Sequence, residues 1–376
     1  MTRRWHALFA LTMLLGVAPA HAQIAPGPPG EPDTPLDART RAAVIESLAV
    51  KMQRHYVFPE KAAEVAKALR KRAAAKEYDR ITSSKEFADS LLAHVQVVTH
   101  DLHTRVHYRY EPIPVQRQDG PPPPEEMARM TTESRRRNWG FESVRRLPGN
   151  VGYLDLRQFA GGAEAQQTAI AAMNFLGHVD ALIVDLRRNG GGTPEMIQTL
   201  LTYLVAEDDR LNFNNFYERE GERNEQWWTS SYVPGARLAG KPLYVLTSPR
   251  TGSAAEEFSY DVQTHKLGTL VGETTAGAAN PGGLFRLSEH FAAFIATGRA
   301  INPVTKTNWE GVGVRPDVPV PSADALREAH VAAIQKLLAE AKDDDRKAAL
   351  QRALDAAKAT LSDPAEDFQR PQRRKA

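Results

Sequence analysis

An α/β fold is the architecture this sequence predicts, and three features of the stretch beyond Phe141 predict it. Short apolar, β-prone runs (Val151–Leu156, Ala181–Leu186, Leu243–Thr247) alternate with helical segments at Ala163–Leu176 and Pro194–Leu204. The second run ends in Arg187-Arg188-Asn189-Gly190-Gly191-Gly192, and the third in a Pro/Gly turn that delivers Ser253 to the start of another helix. Strands that feed loops of this kind at their carboxyl ends are the usual frame of an α/β active site.

The chain has 376 residues, 42% of them apolar, enough for one large core and a smaller subdomain. Residues 1–22 read as a secretory signal: Arg3 and Arg4, an apolar stretch from Ala7 to Val17, and Ala20-His21-Ala22 as the cleavage site. Its apolar run is short and interrupted by proline, so no stable membrane span is expected after cleavage. Residues 23–35 are a Pro/Gly-rich flexible lead-in. A helical subdomain ending in a strand is expected over 36–115. Asp37 caps a first helix carrying Val44, Ile45, Leu48 and Met52, and Tyr56-Val57-Phe58-Pro59 breaks it. A second helix carries Val65, Leu69 and Ala73, and a third runs from about Ser83 to Val95. Alternation from Leu102 through Val106, Tyr108 and Tyr110 reads as a strand that includes His103. A mobile connector is expected over 116–140, the α/β core over 141–321, a helical extension broken near Asp343-Asp344-Asp345 over 322–361, and a disordered tail over 362–376.

Composition narrows the chemistry. Without cysteine, the chain has no disulfide, thiolate nucleophile or Cys-based zinc site. Setting aside Arg3 and Arg4 leaves 46 basic against 46 acidic residues, so no electrostatic footprint argues for nucleic acid. His94, His100, His103 and His107 cluster with Asp101, but their spacing matches no zinc signature, and neither metal nor cofactor is called for. The glycine run lacks the Gly-Lys-Ser/Thr of a phosphate loop and the spacing of a dinucleotide fingerprint. It serves a turn, or an oxyanion hole in which glycine lets a backbone N–H approach a carbonyl oxygen. Ser253 sits where a helix begins, so it is either an N-cap or a nucleophile exposed at a strand end.

Four ordered segments decide between these readings: Asp185–Gly192, Thr247–Glu257, Val271–Gly277 and Glu310–Asp317. Together they resemble the motifs of the S41 serine peptidases, and more narrowly the branch of tricorn protease cores and interphotoreceptor retinoid-binding protein repeats. The resemblance spans roughly Leu36 to Val320. It implies a crotonase/ClpP-like α/β core, and no segment is expected to supply a PDZ domain. It also implies roles: Ser253 as nucleophile, His103 as its general base, Glu310 orienting or polarising the network, and Gly191 and Ala254, with Gly192 beside them, as the oxyanion hole.

Tail-specific members of the family pair the serine with a lysine 25 residues later; here that position is Ala278, so no Ser-Lys dyad is available. The serine that links histidine to glutamate in tricorn-like enzymes is Leu102 here. The implied function is that of an exported peptidase of the periplasm or cell exterior, acting on a peptide or protein, with self-association left open. An esterase-type acyl hydrolase and a non-catalytic carrier of an apolar ligand remain the alternatives. Trp227, Trp228 and Phe285 read either as a substrate groove or as packing.

Overall fold

The computed structural model describes residues 31–113 and 124–368. The signal and most of the lead-in therefore lie outside the described residues. Helices α1 (Ala38–His55), α2 (Pro59–Ala74) and α3 (Ser84–Thr99) come first. Asp37 Oδ1 accepts the Thr40 N–H at 2.6 Å, Pro59 occupies the first turn of α2, and Ser83 Oγ accepts the Glu86 N–H at 3.0 Å. Each start thus uses a residue that satisfies, or has no need to satisfy, an orphan donor.

Strand β1 (Arg105–Tyr108) is shorter than the sequence alternation suggests. Asp101 Oδ1 accepts the N–H groups of His103 and Thr104, at 2.8 and 2.9 Å, and folds 101–104 into a turn. His103 therefore stands before the strand, not on the same strand face as His107. Within the expected connector lies a helix, α4 (Pro124–Arg136), because proline at its first position is followed by strong helix formers.

The main sheet is built from β2 (Phe141–Leu147), β3 (Val151–Leu156), β4 (Ala181–Asp185), β7 (Leu243–Thr247), β8 (Thr269–Gly272) and β12 (Val318–Pro319). Their order is β12-β8-β7-β4-β3-β2; all neighbours are parallel except the antiparallel edge pair β2/β3. Helices α5 (Ala163–Phe175), α6 (Pro194–Leu204) and α7 (Ala254–Thr264) bury one face. Helices α8 (Ala325–Glu340) and α9 (Asp344–Lys358) bury the other. Burial on both sides explains why β3, β4 and β7 read as continuous apolar runs.

Sequence reading left two small sheets unassigned. Strands β5 (Asn212–Glu218) and β6 (Arg223–Trp228) form a hairpin extended by β11 (Gly298–Ile301). Strands β9 (Gly282–Arg286) and β10 (Phe291–Ala296) form a hairpin whose β10 pairs with β1. Phe291, Ala293 and Ile295 of β10 share one apolar cluster with α1, α2 and α3. The N-terminal subdomain is thus completed by a hairpin from the core segment, since three helices alone would leave an apolar face in water. That exchange carries the 275–282 loop to His103.

Two further expectations change. Within the tail expected over 362–376, Phe368 is buried beneath the guanidinium groups of Arg187 and Arg188, at 4.4 and 5.7 Å from the ring centroid, and 369–376 lie outside the described residues. The aromatics named as a groove also separate. Phe285 stacks on His55 at 4.4 Å, whereas Trp227 packs beside Phe213 on a different sheet.

Candidate active site

Ser253 closes the turn between β7 and α7 at φ +53°, ψ −123°, a conformation that side chains rarely adopt. Holding it costs on the order of 1–3 kcal/mol, and such outliers persist only where the surroundings over-determine them. Here they do. Ser248 Oγ donates to the Arg187 carbonyl at 2.5 Å, Thr251 Oγ1 to the Leu186 carbonyl at 2.9 Å, and Gly252 N–H to the Asn189 carbonyl at 3.0 Å. The turn is thereby stapled to the glycine loop after β4. The neighbouring hydroxyls are committed elsewhere: Ser248 as just described, and Ser259 to the Ala255 carbonyl at 2.7 Å.

The glycine loop lies against this turn. A Cβ on Gly191 (φ +114°) would stand 2.7 Å from Ser253 Cβ and 3.1 Å from the Ala254 nitrogen, so only glycine fits. On Gly192 (φ +149°) it would strike the Phe159 carbonyl oxygen at 2.0 Å. Buried Asn189 shapes the loop, its Oδ1 accepting the Gly191 N–H at 2.8 Å and its Nδ2 donating to the Leu156 carbonyl at 2.9 Å. The Gly191 N–H is therefore engaged in this conformation, while Ala254 opens α7, where main-chain N–H groups lack helical acceptors.

Two carboxylates, Glu256 buried and Glu310 half-buried, then tie the 275–280 loop to the rest of the site. Glu256 Oε2 accepts the N–H groups of Ser253 and Ala278, both at 2.9 Å; its Oε1 accepts Thr275 Oγ1 at 2.6 Å and the Gly277 N–H at 2.5 Å. Glu310 Oε1 accepts the Leu102 N–H at 2.7 Å, and its Oε2 the N–H groups of Ala279 and Asn280 at 2.7 and 3.0 Å. Glu310 thus holds the backbone on either side of the imidazole. The imidazole itself is oriented by a main-chain group, with His103 Nδ1 2.6 Å from the Asn280 carbonyl oxygen. Since a carbonyl only accepts, Nδ1 carries the proton and Nε2 is left as the basic nitrogen. Phe294 packs against the ring at a centroid distance of 4.7 Å. The structure records no hydrogen bond between Ser253 and His103 among the described residues; it joins them through one loop.

Burial pulls His103 below the ordinary imidazole value, while the Asp101 charge and the Asn280 carbonyl raise it and Arg105 lowers it further. Burial likewise pushes Glu256 up to about 7 against its hydrogen-bond donors. Burial, then the Asp101 charge, push Glu310 up to about 7. Behind Ser253 on α7, Glu257 is raised to about 7 and Asp261 well above its ordinary range, both first by burial. One oxygen of each, Glu257 Oε1 and Asp261 Oδ2, is buried without a hydrogen-bond partner.

These shifts set a pH dependence. An unfolded glutamate loses its proton near its ordinary value of 4.5, whereas the folded ones keep theirs until about 7. Across that window the unfolded state binds fewer protons, so stability falls as pH rises. Buried histidines with lowered values, His103 and His107 among them, act in the opposite direction below about pH 6.5, so the decline in melting temperature should show between about pH 6.5 and about pH 8. Glu257→Gln, which removes one such ionisation, should flatten the decline and melt above wild type at the alkaline end; an equally steep decline would contradict this.

Of the residues singled out in the sequence, the structure brings the loop of Gly191 and Gly192 against the turn of Ser253 and Ala254, and His103 with Glu310 across the 275–280 loop. Among the described residues no group of three or more His, Cys, Asp or Glu is placed to hold a metal. His94 bonds Tyr78 Oη at 2.9 Å, and His100 caps α3 in the left-handed region. Sequence reasoning missed Asn189, Glu256, Asn280 and Asp101. Glu256 had a signal, since Ser-Ala-Ala-Glu is the spacing of a capping box. Asn280 had none, because its contribution is a carbonyl.

With that geometry in place, comparison with known proteins identifies the class. Residues 150–320 match the model of peptidase family S41, and residues 38–137 match that of the N-terminal domain of Peptidase_S41 in eukaryotic IRBP. The chain belongs to peptidase family S41. It is 28% identical over 190 residues to the chloroplastic carboxyl-terminal-processing peptidase 2 of Arabidopsis thaliana, covering 47% of this chain and 34% of that one. It is 27% identical over 180 residues to the carboxy-terminal-processing protease of Bartonella bacilliformis, covering 46% of this chain and 40% of that one. The chain thus spans well under half the length of these curated relatives. The crystal structure of a peptidase candidate from Parabacteroides merdae superposes with a TM-score of 0.54 at 18% identity, over 81% of this chain and 98% of that one, which shows the shared fold.

Proposed function

We propose that the protein is a serine peptidase that hydrolyses peptide bonds through an acyl-enzyme, with His103 in place of the missing lysine. Ser253 Oγ attacks the scissile carbonyl carbon, and His103 Nε2 takes its proton and returns it to the leaving amine. The oxyanion forms against the Ala254 N–H with Gly192 of the glycine loop beside it, since the Gly191 N–H is held by Asn189 Oδ1. Water, deprotonated by the same imidazole, releases the acid product and restores Ser253. Glu310 acts on the backbone around His103, and Asn280 fixes the tautomer. Neither metal nor cofactor enters these steps.

The observation that carries this reading is the 275–280 loop, which Glu256 binds to the N–H of Ser253 and whose Asn280 carbonyl orients His103. A capping box alone would account for the bond from Ser253 N–H to Glu256, but not for the Gly277 and Ala278 N–H groups on the same carboxylate or for the Asn280 carbonyl on His103. The reading of residues 1–22 as a signal favours a peptidase working beyond the inner membrane, in the periplasm or outside the cell. Among the described residues no helix is long and apolar enough to cross a membrane.

The test is product analysis. Incubation with an unfolded polypeptide should yield peptides with new free amino and carboxyl termini by mass spectrometry, and the Ser253→Ala variant should yield none. Release of acid from p-nitrophenyl esters without any peptide cleavage would favour the esterase, and stoichiometric retention of a retinoid or fatty acid without turnover would favour the carrier.

A further inference from the structure

The carboxylate placed to act on the imidazole charge is not Glu310. Both Glu310 oxygens face backbone N–H groups, at 2.7–3.0 Å from Leu102, Ala279 and Asn280. Asp101 is different. It is 1% exposed, its Oδ1 accepts the N–H groups of His103 and Thr104, and its Oδ2 is buried without a hydrogen-bond partner. The loop that seats the imidazole is thus wound around a buried carboxylate whose side chain also lies against the Tyr56 hydroxyl. A carboxyl group buried in this way is costly unless a charge nearby makes use of it.

The surroundings of His103 contain few other sources of charge. Arg105, whose Nη1 donates to the Leu102 and Thr104 carbonyls, opposes protonation, Tyr56 at the end of α1 lies beside Asp101 and Glu310, the Asn280 carbonyl takes Nδ1–H, and Phe294 packs on the ring. The Asp101 charge raises His103, whereas Glu310 commits both of its oxygens to backbone N–H groups.

We propose, building on the peptidase reading above, that Asp101 is the positioning residue of the base: it fixes the 101–104 turn that presents His103 and stabilises the imidazolium formed when Ser253 is deprotonated. Asp101 never touches substrate; it acts through His103, as the third member of a triad acts through its histidine, but from the backbone side of the ring. The arrangement accounts for Leu102. With the charge supplied two residues before His103, no hydroxyl is needed to relay it from Glu310.

Asp101→Asn separates the two roles, because an asparagine Oδ1 can still accept both N–H groups while the charge is gone. The imidazole titration, followed by NMR of the His103 ring Cε1–H, should move down by about one pH unit. The acid limb of the kcat/KM profile should move with it, and kcat should fall about tenfold, the equivalent of that shift. Asp101→Glu should recover part of both. If Asp101→Asn fails to fold, Asp101→Ser, whose hydroxyl accepts from the same backbone, carries the measurement. An unchanged His103 titration in a folded variant overturns the proposal. The NMR readout requires no turnover, so it decides the role of Asp101 even if peptide hydrolysis is not observed.

Discussion

Replacing Ser253 with alanine should lower kcat on a peptide substrate by about 10^4-fold or more, since a nucleophile acting in concert with its base cannot be removed in part. The fold should survive, because the bond from the Ser253 N–H to Glu256 comes from the main chain and does not depend on the side chain. A second substitution tests the strain directly. At φ +53°, ψ −123° a Cβ is disfavoured whatever it carries, so Ser253→Gly should be as inactive as Ser253→Ala and more stable than it by about 1 kcal/mol. Thermal melts of the two variants check the ordering. Turnover retained by either would remove Ser253 from the reaction, and a glycine variant no more stable than the alanine variant would show that the turn stores no strain.

How much of this was legible in the sequence depends on the kind of group involved. Buried strands and the helices between them were readable, because parallel strands covered on both faces leave uninterrupted apolar runs such as Ala181–Leu186 and Leu243–Thr247. Strands β5, β6, β9 and β10 were not. Residues of β5, β6 and β9 are only partly buried or mixed in character, β10 is a buried but alanine-rich run of weak strand propensity, and their pairing is set by tertiary contact: β10 by the α1–α3 cluster it covers, and β5 by β11, far along the chain. Ser253 stood out through its strand-turn-helix setting, and His103 and Glu310 through the resemblance alone. What the sequence could not give was the direction of Glu310, whose oxygens meet backbone N–H groups, or the Asn280 carbonyl, which any residue at that position would carry. Alternation from Leu102 masked the Asp101 turn, because a short Asx-type turn before a strand leaves the apolar pattern intact.

The second large effect belongs to His103. Its Nδ1 proton is committed to the Asn280 carbonyl, so Nε2 is the nitrogen able to accept a proton, and its lowered basicity keeps it neutral at pH 7. His103→Ala should slow acylation of Ser253 by about 10^3-fold, within the usual contribution of general-base catalysis. The site has no lysine to substitute: Ala278 occupies that place, and its N–H is held by Glu256.

The account rests on a serine activated by a histidine held across a single loop, and the rate at which a fluorophosphonate labels Ser253, followed against pH, measures that activation without depending on substrate choice. In the wild type the rate should rise with a single ionisation below the ordinary imidazole value and then level off. In His103→Ala it should be slow, with that inflection gone. Labelling of His103→Ala at the wild-type rate, with the same inflection, would contradict the assignment of His103 as the base.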